Sequence, residues 1–545
     1  MARANGTSEK KTFLSGVLLL TVSTVLVKLV GLLYKIPMLS YLGSEGMGYF
    51  NSAYEIYALF SVISTAGLPV ALSVLISGAR ARGEETSVSR IYRAALGVFL
   101  AIGIVGTAVM LLGARRFSLW IRSEGAYLSI LAISPTVLLV CISSALRGYF
   151  QGYQRMLPTA LSQLIEALGK LGLGLALARF ALLRGYDTPT VAALAGVGLT
   201  LGTALSTLYL WIEKLRQKPC ATRGMPILCS YRTIWRALGR LAIPMTLGAS
   251  LVSMTKLIDM TMILRRLQSI GYTEVTANEA YGSYTTLALS VFGLIPTLVN
   301  SVALPLVPML SAAIASGDRE RQADMIRTSY RLTALFAIPA ALGLSTYAEP
   351  ILALLFGNDA AAVATAAPLL SCLGVSVFLS CMITATNSVL HAYQAVNRPI
   401  LAMLAGAAVK IASAYLLIGQ EGIALLGAPI STFLCNTTVV VCNLFFASRL
   451  CDVSGLGAVF WRPTLCATVA VGVSYVSYLL LGASLGASHL PTLLALLCAV
   501  VLYFALSLIW GVFSEEDIGA LPGGERVLPW MRRLRLLPSH SDFPK

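Results

Sequence analysis

The chain has 545 residues, 57% of them hydrophobic and 12% charged, with a mean hydropathy of +0.80. That balance excludes an ordinary soluble domain and implies a protein that lives in lipid. The formal net charge of +16 would suit a nucleic-acid partner if it were clustered on one soluble face. Most of the basic residues instead fall in loops on one side of the membrane, so the excess is topological and no nucleic-acid partner is implied.

An apolar run of about 20 residues crosses a bilayer core of about 30 Å, and fourteen such runs follow one another. The first, 12–34, comes after Lys10 and Lys11 and imitates a signal peptide. It extends to Tyr34 without an Ala-x-Ala cleavage pattern, so it reads as a retained span carrying Lys28. Span two, 49–77, carries Glu55 and is interrupted by Gly67 and Pro69. Spans three and four, 91–113 and 126–146, flank an outer loop whose Arg115, Arg116 and Arg122 are the main exceptions to the positive-inside bias. Pro135 interrupts the fourth, span five (159–181) carries Glu166 and Lys170, and span six covers 190–212.

The richest inner loop follows, with Lys214, Arg216, Lys218, Arg223, Arg232, Arg236 and Arg240. Ile234, Trp235 and Leu238 give its end an apolar side, the pattern of a helix in the headgroup layer that tethers two halves. Cys220 and Cys229 in this loop lack metal-ligand spacing, and Cys141, Cys372, Cys381, Cys435 and Cys498 read as small packing residues within spans. Span seven, 240–263, carries Pro244, Lys256 and Asp259. Span eight, 281–311, holds Pro296, Pro305 and Pro308, and three prolines in one span mark a gating element. Spans nine to twelve lie at 331–356, 361–388, 399–418 and 422–447, with Pro339 in the ninth and Lys410 in the eleventh. Spans thirteen and fourteen, 461–482 and 490–512, precede a polar tail in which Arg532, Arg533 and Arg535 beside Trp530 and Leu534 suggest a membrane-surface anchor. Both termini come out cytoplasmic.

An internal repeat organises these spans. Lys28 matches Lys256, and Lys170 matches Lys410 together with Tyr153/Tyr393, Gln154/Gln394, Leu161/Leu401, Leu164/Leu404 and Ala167/Ala407. Glu45-Gly46-Met47-Gly48 resembles Glu279-Ala280-Tyr281-Gly282, Val70-Ala71-Leu72 recurs as Val302-Ala303-Leu304, and His391 stands opposite Gln151. Their common order implies two copies of a six-span bundle in the same orientation, a parallel repeat with substrate at the repeat interface. The expected fold is an all-α polytopic membrane protein of about fourteen helices. Its expected divisions are an N-terminal lobe 1–214, an amphipathic linker 215–240, a C-terminal lobe 241–450, two extra spans in 451–512 and a cytoplasmic tail 513–545.

Lysines inside spans carry the chemistry, because a charge near the bilayer centre costs about 2.5–3.5 kcal/mol and so usually faces a partner or a wet cavity. Lys28 and Lys256 lie roughly 24 Å into their helices at 1.5 Å per residue. Each either snorkels to the outer headgroups or joins the other as a cationic pair for an anionic ligand such as a diphosphate. Lys170 and Lys410 lie about 16 Å in, where snorkelling is harder. Glu166, one turn before Lys170, is placed for an i,i+4 ion pair with it, whereas Lys410 has no acid in its span. Glu55, Glu166 and Asp259 are the acids available either for a driving proton or sodium ion or for pairing with these lysines. No GxxxxGK[ST] or HExxH motif is present and no loop is long enough to fold as a catalytic domain, so neither an enzyme, a cofactor nor a metal site is expected.

The motifs Lys28-Leu29-Val30-Gly31, Leu42-Gly43-Ser44-Glu45-Gly46-Met47-Gly48-Tyr49-Phe50-Asn51, Gly67-Leu68-Pro69-Val70-Ala71 with Arg80 and Arg82, and Tyr149-Phe150-Gln151-Gly152 bear a family resemblance. The chain resembles, over nearly its whole length, the stage V sporulation protein B group of polysaccharide and lipid-linked oligosaccharide flippases. These belong to the superfamily that also holds the lipid II flippase and the multidrug MATE exporters. The resemblance implies a V-shaped two-lobe bundle, alternating access, and passage of an undecaprenyl-diphosphate-linked sugar to the outer leaflet. It also implies a lipid-tail groove formed by spans thirteen and fourteen, and a cavity cation at Lys28. Other cavity arginines of the lipid II flippase lack a match, Tyr34 standing at one such place, which leaves the head group open.

The function expected on these grounds is a plasma-membrane flippase in which Lys28 and Lys256 hold the diphosphate and Lys170 and Lys410 help form the cavity. Its partners would be the lipid-linked oligosaccharide, membrane lipids and cell-wall synthesis proteins. The rivals are an ion-coupled MATE-like drug exporter, a membrane glycosyltransferase or polymerase, and a non-transporting scaffold for cell-wall or spore-cortex assembly. Four span lysines against three acids weigh against the exporter, and short outer loops against the enzyme.

Overall fold

A computed structural model describes residues 2–217, 230–303, 310–311, 313–314, 316–357, 359–395, 397–451, 456–485 and 489–512. Pro305, Pro308, Cys220, Cys229, the first part of the linker and the basic tail lie outside the described residues.

Every regular element among the described residues is helical. The chain runs α1 (Ala2–Thr65), α2 (Leu68–Ala81), α3 (Glu85–Trp120), α4 (Ala126–Gly152), α5 (Met156–Leu183), α6 (Thr188–Arg216), α7 (Tyr231–Ser269) and α8 (Glu274–Ser283). A π-helical turn, Tyr284–Ala288, leads into α9 (Leu289–Ala303). Then follow α10 (Arg319–Thr346), α11 (Ala348–Phe356), α12 (Ala360–Ala392), α13 (Asn397–Ile418), α14 (Gly427–Ser448), α15 (Leu456–Leu485) and α16 (Leu490–Ile509). Among the described residues, eleven helices are long and apolar enough to cross a membrane, or twelve with the pair α10 and α11, bent by 78°. The stretch Ser23–Ala81 enters that count once, although its 59 residues reach roughly 90 Å, enough for two crossings. With α5 added, each of the fourteen expected spans overlaps helix among the described residues, with breaks at 66–67 and 347 and non-helical ends at 422–423 and 510–512.

One local feature differs from the sequence reading and a second agrees with it. Spans one and two are limbs of a single helix, α1, kinked at Gly43 with φ 65° and ψ 177°, a conformation that only glycine adopts without strain. Span two is itself broken at Ala66 and Gly67, with Pro69 in the first turn of α2, where its missing N–H leaves no intrahelical bond unmade. A Cβ at Gly67 would overlap the Ala242 carbonyl oxygen of α7, so the break is also a point of close helix approach.

The helices group into two compact units, 1–286 and 287–545. In the first, α7 and α8 pack with α1–α6, although the repeat boundary falls before α7. Small residues let α5 and α6 meet: a Cβ on Gly202 would stand 2.6 Å from the Lys170 backbone nitrogen, and Gly198 lies equally tight against Gly174. Hydroxyl pairs bind α4 to α6 through Ser143 and Thr207 at 2.6 Å and Thr136 and Thr200 at 2.7 Å. Close glycines and hydroxyl glue are what a lipid solvent favours, since burying apolar surface gives helices little reason to associate there. The expected amphipathic segment is not a separate helix but the first turns of α7. Arg232, Arg236 and Arg240 are exposed, Ile234 and Leu238 join a core with α2 and α3, and the Trp235 indole donates to the Ala94 carbonyl at 3.2 Å.

In the second unit, α15 and α16 are fastened to α10. Ala334, Leu335 and Ile338 share a core with Cys466, Ala467, Ala470 and Tyr503. The Tyr503 hydroxyl donates to the Leu335 carbonyl at 2.7 Å. Ser474 gives its proton to the Ala495 carbonyl at 2.5 Å, so the Tyr347 hydroxyl, 2.7 Å away, is the donor to Ser474. Tyr347→Phe is expected to lower stability by about 1 kcal/mol, the net worth of one buried hydrogen bond. A thermal melt of the detergent-solubilised protein measures it, and an unchanged melt would mean the bond contributes nothing.

The backbone reproduces the repeat. Gln154 and Gln394, paired in the sequence, are two of the four non-glycine residues with positive φ among the described residues, at 58° and 59°. Each ends its helix by the same pair of bonds: Gln154 N–H to Gln151 O and Arg155 N–H to Phe150 O in one copy, Gln394 N–H to His391 O and Ala395 N–H to Leu390 O in the other.

Candidate cation cluster

The kink at Gly43 folds the two limbs of α1 together, so that Tyr34 on the first and Phe50 and Tyr54 on the second converge on Lys170 of α5. The Lys170 ammonium lies 4.9 Å from the Tyr54 ring centroid, 5.0 Å from Tyr34 and 5.7 Å from Phe50. Phe50 and Tyr54, one turn apart, stack at 18° and extend the wall. Three ring faces stabilise a cation by their quadrupoles without neutralising it.

The ion pair expected between Glu166 and Lys170 does not form. Glu166 Oε2 instead accepts a 2.7 Å bond from the Arg147 guanidinium of α4. Arg147 also donates to Ser162 Oγ at 2.9 Å and Ser206 Oγ at 3.3 Å, so one guanidinium ties α4, α5 and α6 together. A rigid planar fork spreads its donors over separate nitrogens and so reaches acceptors on two helices at once, whereas an ammonium gathers its three donors on one nitrogen.

Lys28 of α1 and Lys256 of α7 are both exposed side chains, and each lies within electrostatic reach of the other. Lys35, two turns beyond Lys28, joins them: it feels the charges of Lys170, Lys256 and Glu55. It donates to the Thr285 carbonyl at 3.2 Å. That carbonyl belongs to the π-helical turn, and Asn51 clamps the same turn by donating to Thr285 and Thr286 Oγ1 at 2.8 and 2.9 Å. π-turns widen a helix and recur at functional sites. Glu55 lies among Lys256, Lys35 and Asp259, and its Oε2 is buried without a hydrogen-bond partner. Lys28, Lys35, Lys170 and Lys256 therefore share one unit with two neighbouring carboxylates, Glu55 and Asp259, while Glu166 is matched by Arg147. Lys410 belongs to the second unit, half-buried on α13.

Among the proposed hinges, Gly67 and Pro69 mark a real helix break, whereas Pro296 lies within α9. A separate feature is a clasp between the turn at 121–125 and the end of α7 with α8: Ser123 donates to Asn278 Oδ1 at 2.9 Å, Gly125 N–H to Glu274 Oε1 at 3.0 Å and Gln268 to the Arg122 carbonyl at 2.6 Å. Beside it α1 and α8 cross at Gly48 and Gly282, equivalent glycines of the repeat, each so close that a Cβ would overlap a carbonyl oxygen of the other helix.

Sequence reasoning missed Arg147 and Lys35 because each stands one residue beyond the end assigned to an apolar run. The signal for Lys35 was its spacing of seven from Lys28, which puts both on one helix face. For Arg147 the apolar run ending at residue 146 gave none.

The second unit holds an apolar cavity of about 310 Å³ bounded by α9, α10, α15 and α16, with Phe336, Pro339, Tyr347, Leu496, Tyr503 and Phe504 in its wall.

These features define a multi-pass membrane protein with the fold of the superfamily that holds MATE and lipid II transporters. Residues 13–314 match the family described as polysaccharide biosynthesis protein, and residues 244–416 match the MatE family. The chain belongs to the polysaccharide biosynthesis protein family. It is 24% identical over 518 residues to stage V sporulation protein B of Bacillus subtilis (strain 168), covering 94% of this chain and 98% of the relative. It is 23% identical over 415 residues to the lipid II flippase MurJ of the same organism, covering 73% and 76%. A solved structure of lipid II flippase MurJ in an inward closed conformation superposes with a TM-score of 0.67 at 15% identity, over 90% of this chain and 98% of that one.

Proposed function

We propose that the chain is a flippase that carries an undecaprenyl-diphosphate-linked sugar from the inner to the outer leaflet by alternating access. The observation that supports this most is the cation cluster: four lysines from α1, α5 and α7 with two carboxylates among them, a charge balance suited to a diphosphate and unsuited to a cationic drug. A relative named as a lipid II flippase supports the same substrate class. Lys28 and Lys256, the exposed members, make first contact with the diphosphate, and Lys170 holds it further in. Lys410 helps form a cavity, and the apolar cavity of the second unit, of drug-ligand volume, is suited to a segment of a lipid tail. Glu55 is the acid best placed to exchange a driving proton. Both termini face the cytoplasm, and the two six-span copies move against each other, biased by differential binding of the ligand to the inward and outward states.

The test is translocation of a fluorescent undecaprenyl-diphosphate sugar in liposomes. Lys28→Ala/Lys256→Ala is expected to lower the rate at least tenfold with the melting temperature held. An unaffected rate would return those lysines to the headgroup layer, and no transport by the native chain would sink the flippase reading.

A further inference from the structure

We propose that Arg147 is a positioning residue: it holds Glu166 away from Lys170, so that the Lys170 ammonium keeps its charge for the diphosphate. The inference rests on the flippase reading above and names what sets the charge of that site.

Glu166 precedes Lys170 by one turn of α5, the favourable order for an i,i+4 pair, and lies within its electrostatic reach. The carboxylate nevertheless turns to Arg147, 2.7 Å away, whose remaining bonds to Ser162 and Ser206 fix it in place. Lys170 is left with three ring faces, and no carboxylate stands within 4.0 Å of it among the described residues. Without the Arg147 charge, Glu166 would be a poorly compensated carboxylate with a lysine one turn away, and pairing would neutralise the cation.

The second copy of the repeat makes the same point by substitution. In the register that matches Tyr153 to Tyr393 and Lys170 to Lys410, Arg147 corresponds to Asn387 and Glu166 to Gly406. The register is secure because α4 and α12 end at those tyrosines with the same cap. Asn387 there bonds to neutral Asn443 at 2.8 Å. The arginine and the glutamate are thus present together in one copy and absent together in the other, while the lysine stands in both. Their loss together marks the two as partners, and the binding test below separates an arginine that occupies the acid from one that only braces three helices.

The test measures binding of the purified full chain to an undecaprenyl-diphosphate lipid, with melting temperature alongside. Arg147→Asn is expected to weaken binding about tenfold, and Arg147→Asn/Glu166→Gln to restore it to within threefold of native. Lys170→Met is expected to weaken binding by about thirtyfold or more, and Lys170→Met/Arg147→Asn to be no worse than Lys170→Met alone, because both act through one ammonium. Arg147→Gln, which keeps hydrogen-bonding capacity toward Ser162 and Ser206, takes the place of the asparagine variant if that does not fold. Additive losses, or a folded double variant that stays weak, would overturn the positioning role. Native protein that fails to bind the lipid would overturn the flippase reading and this inference with it, a result distinct from native binding that Arg147→Asn leaves intact.

Discussion

Gly282→Leu is expected to prevent the first unit from assembling. α1 and α8 cross where a Cβ at Gly282 would overlap the Ser44 carbonyl oxygen and stand 2.8 Å from the Gly48 nitrogen, and where a Cβ at Gly48 would meet Asn278. The obstacles are backbone atoms, so no rotamer change makes room. Overpacking by a methylene or two costs about 1–3 kcal/mol; four extra carbons against two backbones place the leucine variant above about 4 kcal/mol, in the range that marks a broken packing contact. Gly282→Ala is expected at the lower figure. The thermal melt of the solubilised protein measures both, and a cysteine pair at Ser123 and Asn278, whose side chains now meet at 2.9 Å, reports whether the neighbouring clasp still closes. A leucine variant that melts like the native protein and cross-links equally well would show that the two helices do not cross at these glycines.

The sequence exposed this crossing without identifying it. Gly48 and Gly282 were recognisable as equivalent members of a repeat, yet a one-dimensional match does not say that equivalent residues touch. The spans themselves were legible because lipid leaves a chain little choice but long apolar helices, and the repeat because residues such as Tyr153/Tyr393 and Gln154/Gln394 recur in the same order, where the structure places the same cap. Polar partners were less legible. Glu166 had a lysine at ideal local spacing, and local spacing lost to an arginine nineteen positions back in the chain, because a guanidinium can serve a carboxylate and two hydroxyls together. Apolar run length hid Lys35 and Arg147 in the same way: helices continue past the point where their composition turns polar, and the residues just beyond a run still lie inside the bundle. The linker arginines were correctly read as one face of a helix, but only tertiary packing shows that Ile234 and Leu238 dock that helix onto α2 and α3 rather than onto headgroups.

Lys170→Met is expected to cost the most in transport of any single change in the cluster. Lys28 and Lys256 are exposed on the surface of the unit, whereas Lys170 is half-buried behind Tyr34, Phe50 and Tyr54. Truncating one partner of a desolvated charge pair costs about 2–5 kcal/mol, against about 1 kcal/mol or less for an exposed one. Transport of an undecaprenyl-diphosphate sugar should therefore fall by about thirtyfold or more, at 1.4 kcal/mol per factor of ten. Methionine fills the same volume and sits well against aromatic rings, so the melting temperature should hold or rise. Lys170→Arg is expected to recover only part of the loss, because a planar guanidinium stacks on one ring while a compact ammonium fits among three. Tyr54→Leu should weaken transport less than Lys170→Met, removing one cation–π contact worth about 0.5–2 kcal/mol and leaving the charge. Transport rates in liposomes, normalised to reconstituted protein, decide the order. If Lys170→Met carries the sugar at the native rate while Lys28→Ala/Lys256→Ala does not, the aromatic-walled lysine is a packing residue and the diphosphate never leaves the exposed pair.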